Sequence, residues 1–168
     1  MNTYLKLAAA AVAVLVVAIV GYQLLPKNGG IGGPGPSPTP SVLAKGTFVM
    51  AGGFSTVIDA TRSGSTVSGT LSATTGTDNF TADLQCSETV DGVLWIAGDV
   101  TVSGYATAPK GTRAGIVLKP GSPVQAIFVF QMNDPRAATC LAFLDEMQAL
   151  NEVAGALMPI SGTVELHP

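Results

Sequence analysis

The sequence predicts a mainly β protein: an antiparallel barrel or sandwich of about seven to nine strands with one packed helix, preceded by a single transmembrane helix. Three observations carry this. Between Gly46 and the C-terminus, apolar residues alternate with Ser and Thr in short runs separated by Gly, Asp, Asn and Pro turns. One later stretch instead repeats its apolar residues at spacings of three and four. Near the N-terminus, LAAAAVAVLVVAIVGYQLL, residues 7–25, contains no charge.

As a helix that run would be about 28 Å long, close to the ~30 Å hydrocarbon core of a bilayer. It is apolar all round, which a core helix is not, and it ends in YQLLP, a poor site for signal cleavage. Residues 1–25 are therefore expected to be a membrane anchor, a signal anchor in type. The alternative is secretion after signal cleavage. No cysteine follows the run, so lipid anchoring is not expected. Lys6 precedes it and Lys27 follows, so charge only slightly favours an N-in orientation. The expected location is the cell membrane, single-pass, with the C-terminal domain extracytoplasmic. Residues 26–45 begin PKNGGIGGPGPSPTPS, where glycine raises the entropy cost of order and proline removes donors. They read as a Gly/Pro-rich stalk, extended in its GPGPSPTP part.

Residues 46–168 form the expected β domain. Phe48, Met50, Phe54, Ile58 and Ala60 share one parity, and Gly52-Gly53 marks a bend in one strand or a break into two. RSGS at 62–65 is a turn; Val67, Leu71 and Ala73 then alternate with Ser and Thr. After TTGTDN, Phe80, Ala82, Leu84 and Cys86 alternate with polar residues. The next strand has Leu94, Ile96, Val100 and Val102 at even positions. A two-residue Asp91-Gly92 turn would set Val90 opposite Val93 and place inward residues opposite outward ones. A three-residue loop, Val90-Asp91-Gly92, restores parity, setting Cys86 opposite Ile96 and Ala82 opposite Val100, all inward.

Strands are also expected near residues 112–119 and 124–132, joined by PGSP. VQAIFVFQM is apolar on both faces, so something must cover its outer side. Cys140, Phe143, Met147, Leu150, Ala154 and Leu157 supply the cover as one helical face, entered at Asp134-Pro135 and ended near Gly155 and Pro159. Trp95 falls outward, where the same helix would cover it. Residues 160–167 read as the last strand.

The succession GTF, TVSGTL, C-x(5)-G-x(5)-GDV, a late cysteine and SGTVEL resembles small bacterial secreted or surface β-domains to which no activity is assigned. The anchor and stalk resemble the front end of many bacterial surface proteins. The resemblance implies a barrel-like fold outside the cytoplasm and brings no catalytic residue with it.

The domain carries Arg62, Lys110, Arg113, Lys119 and Arg136 against all eleven acidic residues of the chain. That balance argues against nucleic acid and against acidic lipid as partners. There is no P-loop, G-x-G-x-x-G or G-x-S-x-G, and two separated cysteines with the single histidine, His167, do not make a zinc pattern. Asp83 and Asp99 fall on adjacent strands, Asp145 and Glu146 diverge on a helix, and Asp78 sits in a turn short of calcium ligands. No enzyme activity, cofactor or metal site is expected, and a hydrolase is the weakest reading. Outside the cytoplasm, Cys86 and Cys140 are expected to form a disulfide between strand and helix, the alternative being two separate buried thiols. The function expected is a membrane-tethered interaction or structural domain with an unknown surface protein as partner. The alternative is a barrel that binds a small apolar ligand among Phe48, Phe54, Phe80, Phe128 and Phe130.

Overall fold

A computed structural model describes residues 39–131, 139–150 and 152–168. The apolar run, most of the stalk and the Asp134-Pro135 pair lie outside these residues. Among the described residues, no helix is long and apolar enough to cross a membrane.

The chain enters the domain at β1 (Ser41–Met50), ahead of the Gly46 boundary expected from the sequence. The Gly52-Gly53 signal is a break: both glycines have positive φ, and the chain reverses into β2 (Phe54–Ser63). Three more strands follow as hairpins, β3 (Thr66–Thr75), β4 (Asp78–Val90) and β5 (Val93–Ser103). After a loop come β6 (Arg113–Lys119) and β7 (Gln125–Phe130). Helix α1 (Cys140–Ala149), a single turn α2 (Glu152–Gly155), and strands β8 (Met158–Pro159) and β9 (Ser161–Leu166) complete the chain. The nine strands make one antiparallel sheet, ordered β8-β7-β6-β5-β4-β3-β2-β1-β9.

This sheet is an almost closed barrel, not a sandwich. Its two ends are joined by one short stretch of chain. β8 pairs with the start of β7, while β9, one residue further on, pairs with β1 on the opposite edge of the sheet. Ile160 lies between them, and its N–H donates to the carbonyl of Val124 at 3.0 Å.

The alternation read from the sequence sets the interior. Phe48, Ile58, Leu71, Phe80, Leu94, Ile96, Ile116 and Leu118 are fully buried in one core cluster. Small residues lie where neighbouring strands approach closely: Ala44, Ala60 and Gly69 are successive cross-strand partners, as are Gly98 and Ala114, and a Cβ at Gly69 or Gly98 would overlap the backbone of the next strand.

The β4–β5 hairpin corrects the expected loop. Val90 pairs with Val93, so the turn has two residues, and Asp91 (φ 52) and Gly92 (φ 76) both take the left-handed region of a type I′ turn. The parity conflict is real but is resolved elsewhere. Pairing steps from Leu84–Gly98 to Cys86–Ala97, so Gln85 has no opposite number. This bulge flips the faces of β4. Leu84 stays inside, while Cys86 turns to the outer wall and packs with Trp95 and Ala97. Cys86 is therefore neither inward nor opposite Ile96, which pairs with Ser87. Ala82 does pair with Val100. A second shift, at Thr101, carries Val102 outward to 57% exposure, against its expected place in the core.

The outer cluster shows why β7 is apolar on both faces. Val117 and Val129 from the wall meet Phe143 and Leu144 of α1, with Trp95 beneath the same cover. α1 is capped by Thr139, whose Oγ1 accepts from the N–H of Ala142 at 3.1 Å. A helix of this length is marginal alone. Phe143 and Leu144 are both 0% exposed, and each such burial is worth about 1.5–3 kcal/mol, so packing rather than propensity holds it.

Gly98 tests the close approach of the strands. A Cβ there would overlap the backbone carbonyl of Asp83, whereas one at Gly155 would meet nothing. Gly98→Val is expected to cost at least the ~1–3 kcal/mol of ordinary overpacking, and Gly155→Ala to leave the urea midpoint nearly unchanged. Equal midpoints for the two variants would refute this account of the row.

Candidate functional site

Two places gather the residues that the sequence singles out. The first is the outer wall under α1. Cys86 on β4 and Cys140 at the start of α1 form a disulfide with Cα atoms 5.8 Å apart. It is the Gln85 bulge that lets a strand of the barrel present its cysteine to a helix outside it. Cys140 Sγ also lies 3.3 Å from the carbonyl oxygen of Ala97, and Gln148 Nε2 donates to Glu88 Oε2 at 2.9 Å. The helix is thus tied to the β4–β5 hairpin at both of its ends. With both cysteines paired, neither offers a thiolate for nucleophilic or metal chemistry.

The second place is the end of the barrel away from Ser41. Phe54 opens β2, Phe80 lies near the start of β4, and Phe128 and Phe130 lie at the end of β7. Their rings meet edge to face: Phe54–Phe128 at 5.6 Å, Phe80–Phe128 at 5.3 Å and Phe80–Phe130 at 5.4 Å between centroids. Such pairs add about 0.5–1.5 kcal/mol each beyond their area. Four of the five candidate phenylalanines are thereby brought together. Phe48 is buried in the same core but takes no part in these pairs.

A sixth aromatic residue belongs with them. Tyr105 reaches Phe54, Phe80 and Phe130 at 5.7, 6.5 and 5.8 Å. Ser103 fixes its backbone, the hydroxyl accepting from the Tyr105 N–H at 2.9 Å and donating to its carbonyl at 3.0 Å. Ala108, on the same loop, is 0% exposed and part of the core. This loop therefore plugs the barrel end. No periodic signal marks it, because GYATAPKG lies between strands.

The carboxylates lie elsewhere. Asp83 and Asp99 are direct cross-strand partners on the outer wall. Like charges so placed repel, and Asp99 is compensated by Arg113, at 3.9 Å, and by Gln85 Nε2, which donates to it at 3.2 Å. Among the described residues, no cleft of the kind that glycoside hydrolysis uses is found around the two carboxyls. Among the described residues, the buried Arg113 Nε and Nη1 and Gln131 Oε1 have no hydrogen-bond partner. His167 is exposed and pairs with Glu165 at 2.7 Å. Both line an open surface pocket of ≈ 370 Å³ with Ser41, Val42, Leu43 and Arg62, at the opposite end from the aromatic rings. Arg62 points part of its guanidinium to Ser87 Oγ, at 2.7 Å. Among the described residues, no three His, Cys, Asp or Glu side chains cluster as metal ligands. The exposed Lys45–Asp59 pair, at 2.9 Å, raises the pKa of Lys45, chiefly through the hydrogen bond to Asp59; such surface pairs stabilise little.

The chain matches no protein family, no curated protein and no solved structure.

The disulfide spans 54 residues of sequence, and the chain-entropy relation gives such a loop about 4 kcal/mol. The double variant Cys86→Ala/Cys140→Ala is expected to unfold at a clearly lower urea concentration than the parent. Reductant should lower the midpoint of the parent toward that value and leave the double variant unmoved. A parent midpoint indifferent to reductant would contradict the assignment.

Proposed function

We propose that this chain is a membrane-tethered interaction or structural domain displayed outside the cytoplasm. The observation that carries the reading is the Cys86–Cys140 disulfide, because such bonds persist in oxidising compartments and are rare where glutathione keeps thiols reduced. The uncharged run at residues 7–25 would hold the chain to the membrane, and the Gly/Pro-rich stretch after it would space the barrel from the surface. The remaining support is chemical. The centre of the barrel is filled by its own side chains, and the site-forming residues are spent on structure: both cysteines in a bond, His167 on Glu165, Asp99 on Arg113.

The alternative, a small apolar ligand inside the barrel, would place that ligand where Phe54, Phe80, Tyr105, Phe128 and Phe130 now contact one another. It would have to break several ring pairs to enter. The packing therefore favours a structural role for these rings.

The test is to express the full chain and treat intact cells with a membrane-impermeant maleimide, before and after a membrane-impermeant reductant. The expected result is no labelling before reduction, labelling at two cysteines after it, and retention in the membrane pellet after a carbonate wash. Thiols that react in lysed cells without reduction, or release of the chain by carbonate, would overturn the reading.

A further inference from the structure

Asn79-Phe80-Thr81 is the one place in the chain where an asparagine is followed, two positions on, by serine or threonine. Asn-x-Ser/Thr, with x other than proline, is the acceptor pattern for N-linked glycans, a modification of surface segments in exported proteins. A tripeptide this short recurs by chance, so its surroundings decide what it means.

β4 leaves the β3–β4 turn at Asp78, and Asn79 is exposed there, while the next residue, Phe80, is buried. Alternation therefore turns the Asn79 amide to the outer wall. Gly104 lies beside it, and even a Cβ added there would stay 3.8 Å from Asn79 Oδ1, so the loop after β5 leaves room at the amide. The wall next to Asn79 differs from the rest of this acidic domain. The cross-strand row that ends at Asn79 starts from Ser161 and passes through Val49, Ser55 and Thr74. The row below it, from Thr163 to Thr81, has Val57 at its centre. Neither row carries a charge, whereas the next one down holds Glu165, Lys45, Asp59 and Asp83. Val49, Val57 and Val102, the last opposite Thr81, are half of the six large apolar side chains exposed among the described residues. Exposed valines are thus gathered on one hydroxyl-rich, uncharged face.

We propose that Asn79 carries an N-linked oligosaccharide and that the sugar lies over this face. The inference rests on the reading of the chain as displayed outside the cytoplasm, and it gives that surface a covalent occupant. A neutral glycan suits the face. Its hydroxyls exchange hydrogen bonds with the Ser and Thr rows, and its C–H surfaces cover Val57 and Val102. Attachment is a group transfer from an oligosaccharide on a polyprenyl pyrophosphate carrier. Nδ2 of Asn79 bonds to C1 of the first sugar, and the bond from C1 to the pyrophosphate oxygen breaks. The pyrophosphate leaves with that electron pair, Nδ2 gives up one proton, and nothing is oxidised or reduced. In the folded barrel Phe80 is 1% exposed and Thr81 Oγ1 lies 3.1 Å from Ser72 Oγ, so no enzyme can seat the tripeptide without opening the β3–β4 ladder. Transfer therefore precedes closure of that hairpin, while the chain is still being exported.

The test uses the full chain recovered from the cells that make it naturally, reduced and cut with trypsin. No Lys or Arg lies between Arg62 and Lys110, so residues 63–110 leave as one peptide containing Asn79. Its mass is expected to exceed that of the bare peptide by a whole number of sugar residues. Asn79→Gln and Thr81→Ala should each abolish the excess, and Thr81→Ser, which keeps the acceptor pattern, should retain it. An unmodified peptide would overturn the proposal wherever the chain resides. So would an excess that persists in Asn79→Gln, because that sugar sits on a hydroxyl instead. The position of the glycan is read by a bulky maleimide. Val57→Cys is expected to react several-fold more slowly in the glycosylated chain than in the Asn79→Gln background. Ser65→Cys, at the β2–β3 turn on the opposite end of the barrel, should react equally in both. Equal rates at residue 57 would overturn the placement over the face. None of these readouts relies on the labelling of intact cells, which tests location by itself.

Discussion

One unpaired residue, Gln85, lets a single strand serve two cores. Side chains on a strand alternate with a period of two, so a strand without a bulge commits each parity to one face along its whole length. β4 begins by giving Phe80, Ala82 and Leu84 to the barrel interior and, after the bulge, gives Cys86 to the outer wall. Without that flip, Cys86 would point into a filled barrel and Cys140 on α1 could not reach it. The helix would then rest on non-covalent contacts, chiefly the burial of Phe143 and Leu144. Those two burials are worth several kcal/mol together, but they hold a helix that is too short to be stable by itself. The disulfide and the packing are therefore complementary: one shortens the accessible unfolded chain, and the other supplies the contact.

The same bulge explains the turn that the sequence misplaces. Apolar residues sit at even positions on both sides of Asp91-Gly92, which requires an odd number of residues to be absorbed somewhere in the hairpin. Composition states that requirement without saying where it is met. Asp-Gly suits a type I′ turn, whose twist matches the flanking strands, so the two-residue turn forms and the extra residue moves down the strand to Gln85. Val102 is displaced outward by the same kind of shift at Thr101. Most of the hairpins, the inward phenylalanines and the existence of a helical cover over β7 and Trp95 were legible because their periodicity is clean over six or more residues. The helix expected to run to Gly155, however, ends at Ala149, leaving Leu150 52% exposed and burying Leu144, which the expected stripe omitted. What was not legible lacks a period. β8 is two residues long, Tyr105 lies in a loop, and Thr139 caps α1 by a hydroxyl that looks like any other threonine in a sequence rich in them.

Closure of the barrel depends on a similarly small element. Every strand from β1 to β7 pairs along most of its length, but among the described residues the seam between β7 and β1 is bridged only by residues 158–166. Because the strands are staggered, this stretch pairs first with β7 and then, past Ile160, with β1. A full closure would satisfy every backbone group in the sheet and remove both edges. This partial one leaves the backbone of Gly162, Val164 and Leu166 turned outward.

That placement bears on where another molecule can be accommodated at least cost. The aromatic end of the barrel is occupied by rings in mutual contact and plugged by Tyr105 and Ala108. The centre is narrowed by alanine and glycine until strands touch, as at Gly98 and Asp83. The wall over β4 to β7 lies under a covalently attached helix. Binding at any of these positions would first have to displace interactions that the chain makes with itself. The β9 edge differs, because among the described residues no strand pairs with Gly162, Val164 and Leu166 on the side away from β1, and their donors and acceptors are already aligned by the pairing of β9 with β1. A preorganised row loses less conformational freedom on binding than a loop would.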